Sequence, residues 1–140
     1  MNIGEKGELA ELAFVLKAAS LGFGVAKPHG TNERYDYVVD SGERFWRVQV
    51  KSTSVAFRGG YQVPSRGGDQ KPYTAEEIDF LVAYIAPLGI WYVIPVNCVT
   101  SSTNLCLYPS GCTRGGHFER YREARHLMAA RTSAASSEPK

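Results

Sequence analysis

The first hydrophobic pattern along the chain is that of an amphipathic helix. Between about Ile3 and Leu21, apolar residues recur at intervals of three and four. They are Leu9, Leu12, Ala13, Leu16 and Ala19. Side chains at these intervals share one face of an α-helix, and the glycine that follows, Gly22, is a typical helix end. The pattern predicts a first helix that buries this stripe.

The next patterns are those of β-strands. A short strand-like segment covers residues 23–27, and two β-branched and aromatic runs at 35–40 and 45–51 are joined by the turn 41–44. Two such runs around a glycine-containing turn predict a β-hairpin. A further short strand is predicted at 61–63.

The second half of the chain begins with two near-continuous apolar runs, 80–85 and 90–95. Runs of this kind predict strands that are buried on both faces in the middle of a sheet. Residues 105–108 predict an edge strand, because a proline follows directly. Apolar residues in helical period then predict a second helix over 118–130.

Length and composition limit the number of domains. A chain of 140 residues with 44% hydrophobic content suffices for one domain with a core and is short for two. We expect a single domain over residues 1–130 and a disordered Ser/Ala-rich tail over 131–140. No apolar run is long enough to cross a bilayer, so a soluble, cytoplasmic protein without membrane contact is predicted. The net charge of +2 does not by itself indicate nucleic-acid binding.

The cysteines raise the hypothesis of a zinc-stabilised interaction domain. Cys98, Cys106, Cys112 and His117 are separated by seven, five and four residues. Structural zinc sites usually contain cysteine pairs with only two to four residues between them. The spacing therefore favours free thiols over a zinc site, and the odd number of cysteines argues against a disulfide framework.

The polar positions of the predicted hairpin suggest a chemical site. Gln49 and Lys51 are two residues apart and share one face of their strand, and Asp36 opens the neighbouring strand. Hydrolysis of a phosphodiester requires a divalent cation held by oxygen ligands, an activated water and a positive group. The Asp36 carboxylate, the Gln49 amide and the Val50 carbonyl offer the ligands, and Lys51 offers the positive charge.

Simpler interpretations of these residues carry similar weight on sequence alone. Asp36 and Lys51 could form an ordinary ion pair across the hairpin. Glu11 of the first helix lies close to the apolar stripe, where it could complete a metal site. On the helix pattern alone, the favoured interpretation is that Glu11 lies at the edge of the stripe and reaches water.

A basic, glycine-rich span follows the hairpin at residues 51–71. It contains Arg58, Arg66 and Lys71, and Asp69 is its only acid. Such a span is typical of a surface that lies along a phosphate backbone, although a solvated loop explains it about equally well. The basic residues from Arg120 to Arg125 are a second candidate for contact with DNA.

Taken together, these motifs resemble the PD-(D/E)XK nuclease superfamily, and within it the homing endonucleases associated with group I introns. The resemblance covers about residues 4–128. Its motifs are Gly7 and Glu11, Gly22-Phe23, Pro28 and Gly30, Tyr35-Asp36, Arg47-Val48-Gln49-Val50-Lys51-Ser52, Tyr73, Asp79-Phe80, and Tyr92-Val93-Ile94-Pro95. The sequence departs from the superfamily pattern at Tyr35, where proline is usual, and at Gln49, where an acid is usual.

The resemblance implies a restriction-endonuclease-like α/β (α+β) core, with a central mixed β-sheet flanked by helices. It implies a Mg²⁺-dependent endodeoxyribonuclease, homing-endonuclease-like or resolvase-like, in which Mn²⁺ can substitute. Double-stranded or branched DNA would be the substrate, and a homo-oligomer, dimer or tetramer, the active form. The alternative is a weak or inactive DNA-binding module on the same fold.

The resemblance also implies roles for individual residues. The catalytic residues would be Glu11, Asp36, Gln49 and Lys51, and the metal ligands would be Glu11, Asp36, Gln49 and the Val50 carbonyl. The residues expected to bind DNA are Ser52, Arg58, Arg66 and Lys71.

Overall fold

The computed structural model of the protein describes residues 3–30, 33–111 and 117–129. The helices are α1 (Ile3–Ser20) and α2 (His126–Ala129), and the strands are β1 (Gly24–Ala26), β2 (Tyr37–Asp40), β3 (Phe45–Thr53), β4 (Ala56–Phe57), β5 (Gly60–Pro64), β6 (Phe80–Ile85), β7 (Ile90–Pro95) and β8 (Asn104–Leu107). Two short 3₁₀ turns lie at Val96–Cys98 and Glu119–Tyr121. The predicted tail, 131–140, lies outside the described residues.

The strands form two sheets. The larger sheet has the order β1-β2-β3-β6-β7, in which β3 and β6 are parallel and the other neighbours are antiparallel. The smaller sheet, β4-β5-β8, is antiparallel. The predicted strands and hairpin are thus confirmed, and so is the mixed central sheet of an α+β fold. Among the described helices, none is long and apolar enough to span a membrane.

The large sheet is covered on both faces, which explains the continuous apolar runs of β6 and β7. Alternate residues of these strands, such as Val82 and Val93, pack with α1 in one hydrophobic cluster. The residues between them, such as Leu81 and Tyr92, pack with the smaller sheet in a second cluster. Burial on both faces was predicted for these strands and is confirmed.

The buried face of α1 differs from the predicted stripe. Ala10, Phe14 and Ala18 are buried against the sheet, whereas Leu12 and Leu16 are 62% and 73% exposed. The helix is apolar around most of its circumference, so the three- and four-residue spacing fits either face. The two alanines let α1 approach the sheet closely, and the Phe14 ring packs between Tyr37 and Trp91, at centroid distances of 5.9 and 6.1 Å. The predicted helix is therefore confirmed, and its predicted orientation is wrong.

This orientation predicts unequal effects of two truncations in α1. Phe14→Ala should lower the free energy of unfolding by about 3–5 kcal/mol, because it removes a ring from the core. Leu16→Ala should change it by less than about 1 kcal/mol, because the side chain is largely in water. Urea unfolding followed by circular dichroism measures both variants. A loss with Leu16→Ala as large as that with Phe14→Ala would contradict this packing.

The C-terminal part of the described chain also departs from prediction. In place of a helix over 118–130, a 3₁₀ turn is followed by Arg122 in an extended conformation and Glu123 with a φ of 52°. Arg122 forms a β-bridge with Tyr92, and the Glu123 N–H donates to the Trp91 carbonyl at 2.7 Å. Helical periodicity is overridden here by hydrogen bonds to the sheet, and only α2 remains helical.

The same contacts correct the predicted position of β7. This strand was expected in the middle of the sheet, but it is the last strand in the order. Its outer edge is instead covered by the segment 119–123. In addition to the two backbone contacts, the Trp91 N–H donates to the Glu123 carboxylate at 2.9 Å.

Candidate active site

The start of β2 is tied to β3 by hydrogen bonds on both sides of Asp36. The Asp36 N–H donates to the Val48 carbonyl at 2.8 Å, and the Val50 N–H donates to Asp36 Oδ2 at 2.8 Å. The carboxylate is therefore fixed in place by the backbone of the strand that carries Gln49 and Lys51. The sequence predicted this juxtaposition, and the structure brings the three residues together.

β3 continues beyond its pairing with β2, which ends at Val48. The valines of this part of β3, Val48 and Val50, are buried with α1. Gln49 and Lys51 alternate with them and are half-buried. The Gln49 amide nitrogen lies 3.5 Å from the Val50 carbonyl oxygen. Two neutral oxygen-bearing groups thus lie side by side next to the Asp36 carboxylate.

Glu11 reaches this region from α1 and is held by two partners. Its Oε1 accepts a hydrogen bond from the Tyr37 hydroxyl at 3.3 Å and lies 3.6 Å from Lys27 Nζ. The side chain is half-buried, so it neither enters the core nor extends freely into water. From this position its negative charge acts on Asp36, the residue that directly precedes β2.

The surroundings of Asp36 disfavour a lone negative charge. Burial, and to a smaller extent the negative charge of Glu11, raises the pKa of Asp36 to about 6. The Val50 hydrogen bond and the positive charges of Lys51 and Lys27 lower this pKa but do not offset the increase. Two carboxylates close enough to repel each other in a partly dehydrated site are stabilised by a bound cation. The donors are hard oxygens, two of them anionic, which are the ligands that Mg²⁺ and Mn²⁺ prefer. The residues present therefore fit a divalent metal ion.

Lys51 does not pair directly with Asp36. Within the described part of the chain, no carboxylate oxygen lies within 4.0 Å of its ammonium. Burial is the main reason why its pKa is lowered; the positive charges of Arg66 and Arg34 act in the same direction, and Asp36 opposes them. The simple cross-hairpin ion pair considered for these two residues is thus not formed.

A cleft of about 910 Å³ opens beside these residues. Its walls come from α1 and from the part of β3 that extends beyond β2, and they include Glu11, Gln49, Val50, Lys51 and Ser52. Four of the proposed site residues therefore face one cavity with Ser52. Asp36 does not line the cleft, but its carboxylate accepts a hydrogen bond from the N–H of Val50, which does.

The predicted DNA-binding residues are only partly gathered at this site. Arg66 is near enough for its charge to affect Lys51. It is held by Gln70 at 2.7 Å and by the Thr103 carbonyl at 3.0 Å. Arg58 and Lys71 are exposed and do not line the cleft; the Arg58 guanidinium lies over the ring of the adjacent Phe57.

The arginines of the predicted second helix make contacts within the chain. Arg122 pairs with Glu119 and donates to the Pro109 carbonyl, and Arg125 pairs with Glu123. These contacts follow from the extended conformation of the segment, which was predicted as helical. They direct both guanidinium groups to intramolecular partners.

Residues near the site that the sequence did not identify are Lys27, Arg34 and Tyr37. Tyr37 follows Asp36 directly and, as its neighbour on a strand, points to the opposite face, towards Glu11. Arg34 and Lys27 are brought in by tertiary contacts, for which the sequence contains no local signal. Tyr73 was noted only as part of the resemblance, and its ring lies 5.7 Å from Lys51 Nζ.

The structure offers no support for a zinc site in the described ranges. No group of three or more His, Cys, Asp or Glu side chains is arranged there to hold a metal. Cys98 and Cys106 are half-buried free thiols, and the Cys98 sulfur lies 3.3 Å from the Tyr121 hydroxyl. Cys112 lies outside the described residues.

Comparisons with known proteins agree with the fold. A solved structure, that of the bacterial homing endonuclease I-Ssp6803I, is 32% identical to this chain, with a TM-score of 0.81, and the match covers 96% of both chains. No curated protein sequence gave a significant match. The sequence profile of the PD-(D/E)XK endonucleases matches residues 1–123, nearly the whole described chain. The chain therefore belongs to the PD-(D/E)XK endonuclease family.

Proposed function

We propose that this protein is a divalent-metal-dependent endodeoxyribonuclease, with Mg²⁺ as its cofactor and Mn²⁺ as a substitute. The observation that carries the proposal is that Glu11 and Lys51 line the cleft and that the charges of both act on the nearby Asp36 carboxylate. PD-(D/E)XK nucleases typically use divalent metals, and the similar solved structure is a homing endonuclease.

The proposed metal ligands are the carboxylates of Asp36 and Glu11, the Gln49 amide oxygen and the Val50 carbonyl. When bound, the cation supplies Lewis acidity and lowers the pKa of a coordinated water. Asp36 is held in place for this role by the Val50 N–H, and Glu11 by Tyr37 and Lys27. Because both carboxylates already have these partners, little reorganisation is needed when substrate binds.

Lys51 is proposed to act on the phosphate that is attacked. In hydrolysis, a water oxygen forms a new bond to phosphorus while the bond to one bridging oxygen breaks. Negative charge increases on the phosphoryl oxygens as this happens, and a positioned ammonium in a partly buried site stabilises that charge. Lys51 is half-buried, lines the cleft and is not neutralised by an ion pair with Asp36, so its charge is available to the substrate.

Gln49 favours one alternative, a weak or inactive DNA-binding module on this fold. The amide contributes an oxygen but no negative charge, so the site attracts a cation less strongly than a third carboxylate would. We favour the active nuclease, because Asp36 and Glu11 still provide two anionic groups in mutual repulsion. An active nuclease should bind the metal and cleave DNA, whereas a binding module should not cleave DNA even when it binds the metal.

A cleavage assay tests the proposed function. Supercoiled plasmid and four-way junction DNA are incubated with the protein in Mg²⁺, in Mn²⁺, in Ca²⁺ or with EDTA. We expect nicked or cut products with Mg²⁺ or Mn²⁺ and complete loss of cleavage with EDTA, because the metal supplies the activated water. Metal binding measured by calorimetry without cleavage of any substrate would favour the binding module. Cleavage that persists in EDTA would contradict the proposal.

We further propose that the active form is a homo-oligomer, a dimer or a tetramer. Each chain contains one proposed site with Asp36 and Lys51, and two such sites in an oligomer would cut both strands of a duplex in one binding event. Leu9, Leu12 and Leu16 are at least half exposed along one face of α1, and a second copy of the chain would bury this apolar surface. Sedimentation velocity with and without duplex DNA measures the assembly.

A further inference from the structure

The Tyr73 ring contacts two cations at the edge of the proposed active site. The ring is almost fully buried, with 2% of the residue exposed. Lys51 Nζ lies 5.7 Å from its centroid, and the Arg34 guanidinium carbon lies 4.5 Å from it. A cation within about 6 Å of an aromatic face is attracted by the ring, and the attraction strengthens when the pair is dehydrated. Tyr73 thus links Lys51 to Arg34.

Arg34 is immobilised on its other side. Its guanidinium donates two hydrogen bonds to the Glu77 carboxylate, at 2.9 and 3.1 Å, and one to the Lys71 carbonyl, at 3.0 Å. It also lies 3.4 Å from the Asp69 carboxylate. The backbone at Gly67 is so close that a Cβ there would come within 2.2 Å of the guanidinium. Arg34 is therefore held by the end of the basic, glycine-rich span, and its guanidinium in turn holds the Tyr73 ring.

Lys51 needs such support because its side chain has many rotamers. Fixing a lysine side chain costs up to about 2 kcal/mol of conformational free energy. Asp36, whose negative charge acts on Lys51, does not form an ion pair with it within the described residues. The electron-rich face of the Tyr73 ring can hold the ammonium without neutralising it.

We propose that Tyr73 is a positioning residue, whose ring holds the Lys51 ammonium at the cleft while Arg34 holds the ring. The inference rests on the proposed catalytic role of Lys51. It assigns to Tyr73 a function of its aromatic face, so phenylalanine should replace tyrosine and an aliphatic residue should not.

The first test reads the position of Lys51 directly and without activity. A proton above an aromatic face is shifted upfield by the ring current. In NMR spectra of the metal-free protein, we expect the ε-methylene protons of Lys51 upfield of the usual lysine position in wild type and in Tyr73→Phe. They should return to the usual position in Tyr73→Leu. Unshifted protons in wild type, or a shift that survives Tyr73→Leu, would overturn the proposal.

The second test uses cleavage kinetics with Mg²⁺. Tyr73→Leu should lower kcat about tenfold, with KM changed less than about twofold, and Tyr73→Phe should recover to within about threefold of wild type. In a Lys51→Ala background, Tyr73→Leu should have no further effect, because the residue acts through Lys51. Equal losses in both backgrounds, or a Phe variant as slow as the Leu variant, would refute the role.

Two controls separate the effect of the Tyr73 ring on Lys51 from a loss of core packing. Ile78→Val removes a methyl group from the same hydrophobic cluster and measures the effect of packing alone. If Tyr73→Leu does not fold, Tyr73→Met removes the ring and leaves a flexible, unbranched side chain that adapts to the remaining space, and the same outcomes apply. Full activity of Lys51→Ala would refute the catalytic role of Lys51, whereas the NMR result would still decide whether Tyr73 holds its ammonium.

Discussion

Lys51→Ala should lower the rate of DNA cleavage by about 10²–10³-fold while the protein remains folded. The variant removes a positive charge that lines the cleft and that no ion pair with Asp36 neutralises. Because Lys51 is half-buried and its pKa is already lowered by burial, its loss should not destabilise the fold strongly. Single-turnover cleavage with enzyme in excess measures the rate, and thermal unfolding measures the stability.

The matched control for this variant is Lys17→Ala. Lys17 is exposed near the end of α1 and does not line the cleft. Both variants remove one positive charge, so a general electrostatic effect on DNA binding should affect them alike. Equal cleavage rates for Lys51→Ala and Lys17→Ala would remove Lys51 from the proposed mechanism.

Asp36→Asn should weaken metal binding by at least about 100-fold and abolish measurable cleavage. The substitution keeps an oxygen that can accept the Val50 N–H, so the link between β2 and β3 is preserved. It removes the negative charge and with it the repulsion between Asp36 and Glu11 that a cation would relieve. Calorimetric titration with Mn²⁺ measures the affinity, and the plasmid assay measures the cleavage.

Asp40→Asn is the control at the other end of the same strand. Asp40 is exposed, and its carboxylate accepts the Gly42 N–H in the hairpin turn, a role that asparagine can also fill. We expect metal affinity and cleavage within about twofold of wild type. Wild-type metal affinity in Asp36→Asn would mean that the cation is bound elsewhere.

The sequence predicted the juxtaposition of Asp36, Gln49 and Lys51 better than it predicted the packing around them. Side chains alternate strictly along a strand, so the shared face of Gln49 and Lys51, and the position of Asp36 beside them, follow from local geometry. The hairpin turn sets which residues of the two strands lie opposite each other, and this places Asp36 next to β3. For these residues the sequence contains nearly all the relevant information.

The orientation of α1 could not be predicted in the same way. Its sequence offers a leucine face and a face with Ala10, Phe14 and Ala18, and both have helical spacing. The choice depends on which face fits the sheet, where Phe14 packs between Tyr37 and Trp91. That fit is a property of residues distant in sequence, so periodicity alone selected the wrong face.

Long-range contacts also explain the residues that sequence reasoning missed. Arg34 reaches Glu77 across 43 positions of the chain, and Glu123 reaches Trp91 across 32. The first contact holds Arg34 where it lies over the Tyr73 ring, and the second converts a helical pattern into an extended segment. Local propensity contains no information about either partner.

The segment 119–123 has a consequence for any shortened version of this protein. It occupies the hydrogen-bonding edge of β7 through Arg122 and Glu123. A chain that ended before residue 117 would present that edge, lined by buried apolar residues such as Trp91, to solvent. Uncovered edges of this kind recruit strands from other molecules. Insolubility of such a truncated chain would therefore reflect aggregation through β7, and a soluble domain should be designed to include the segment.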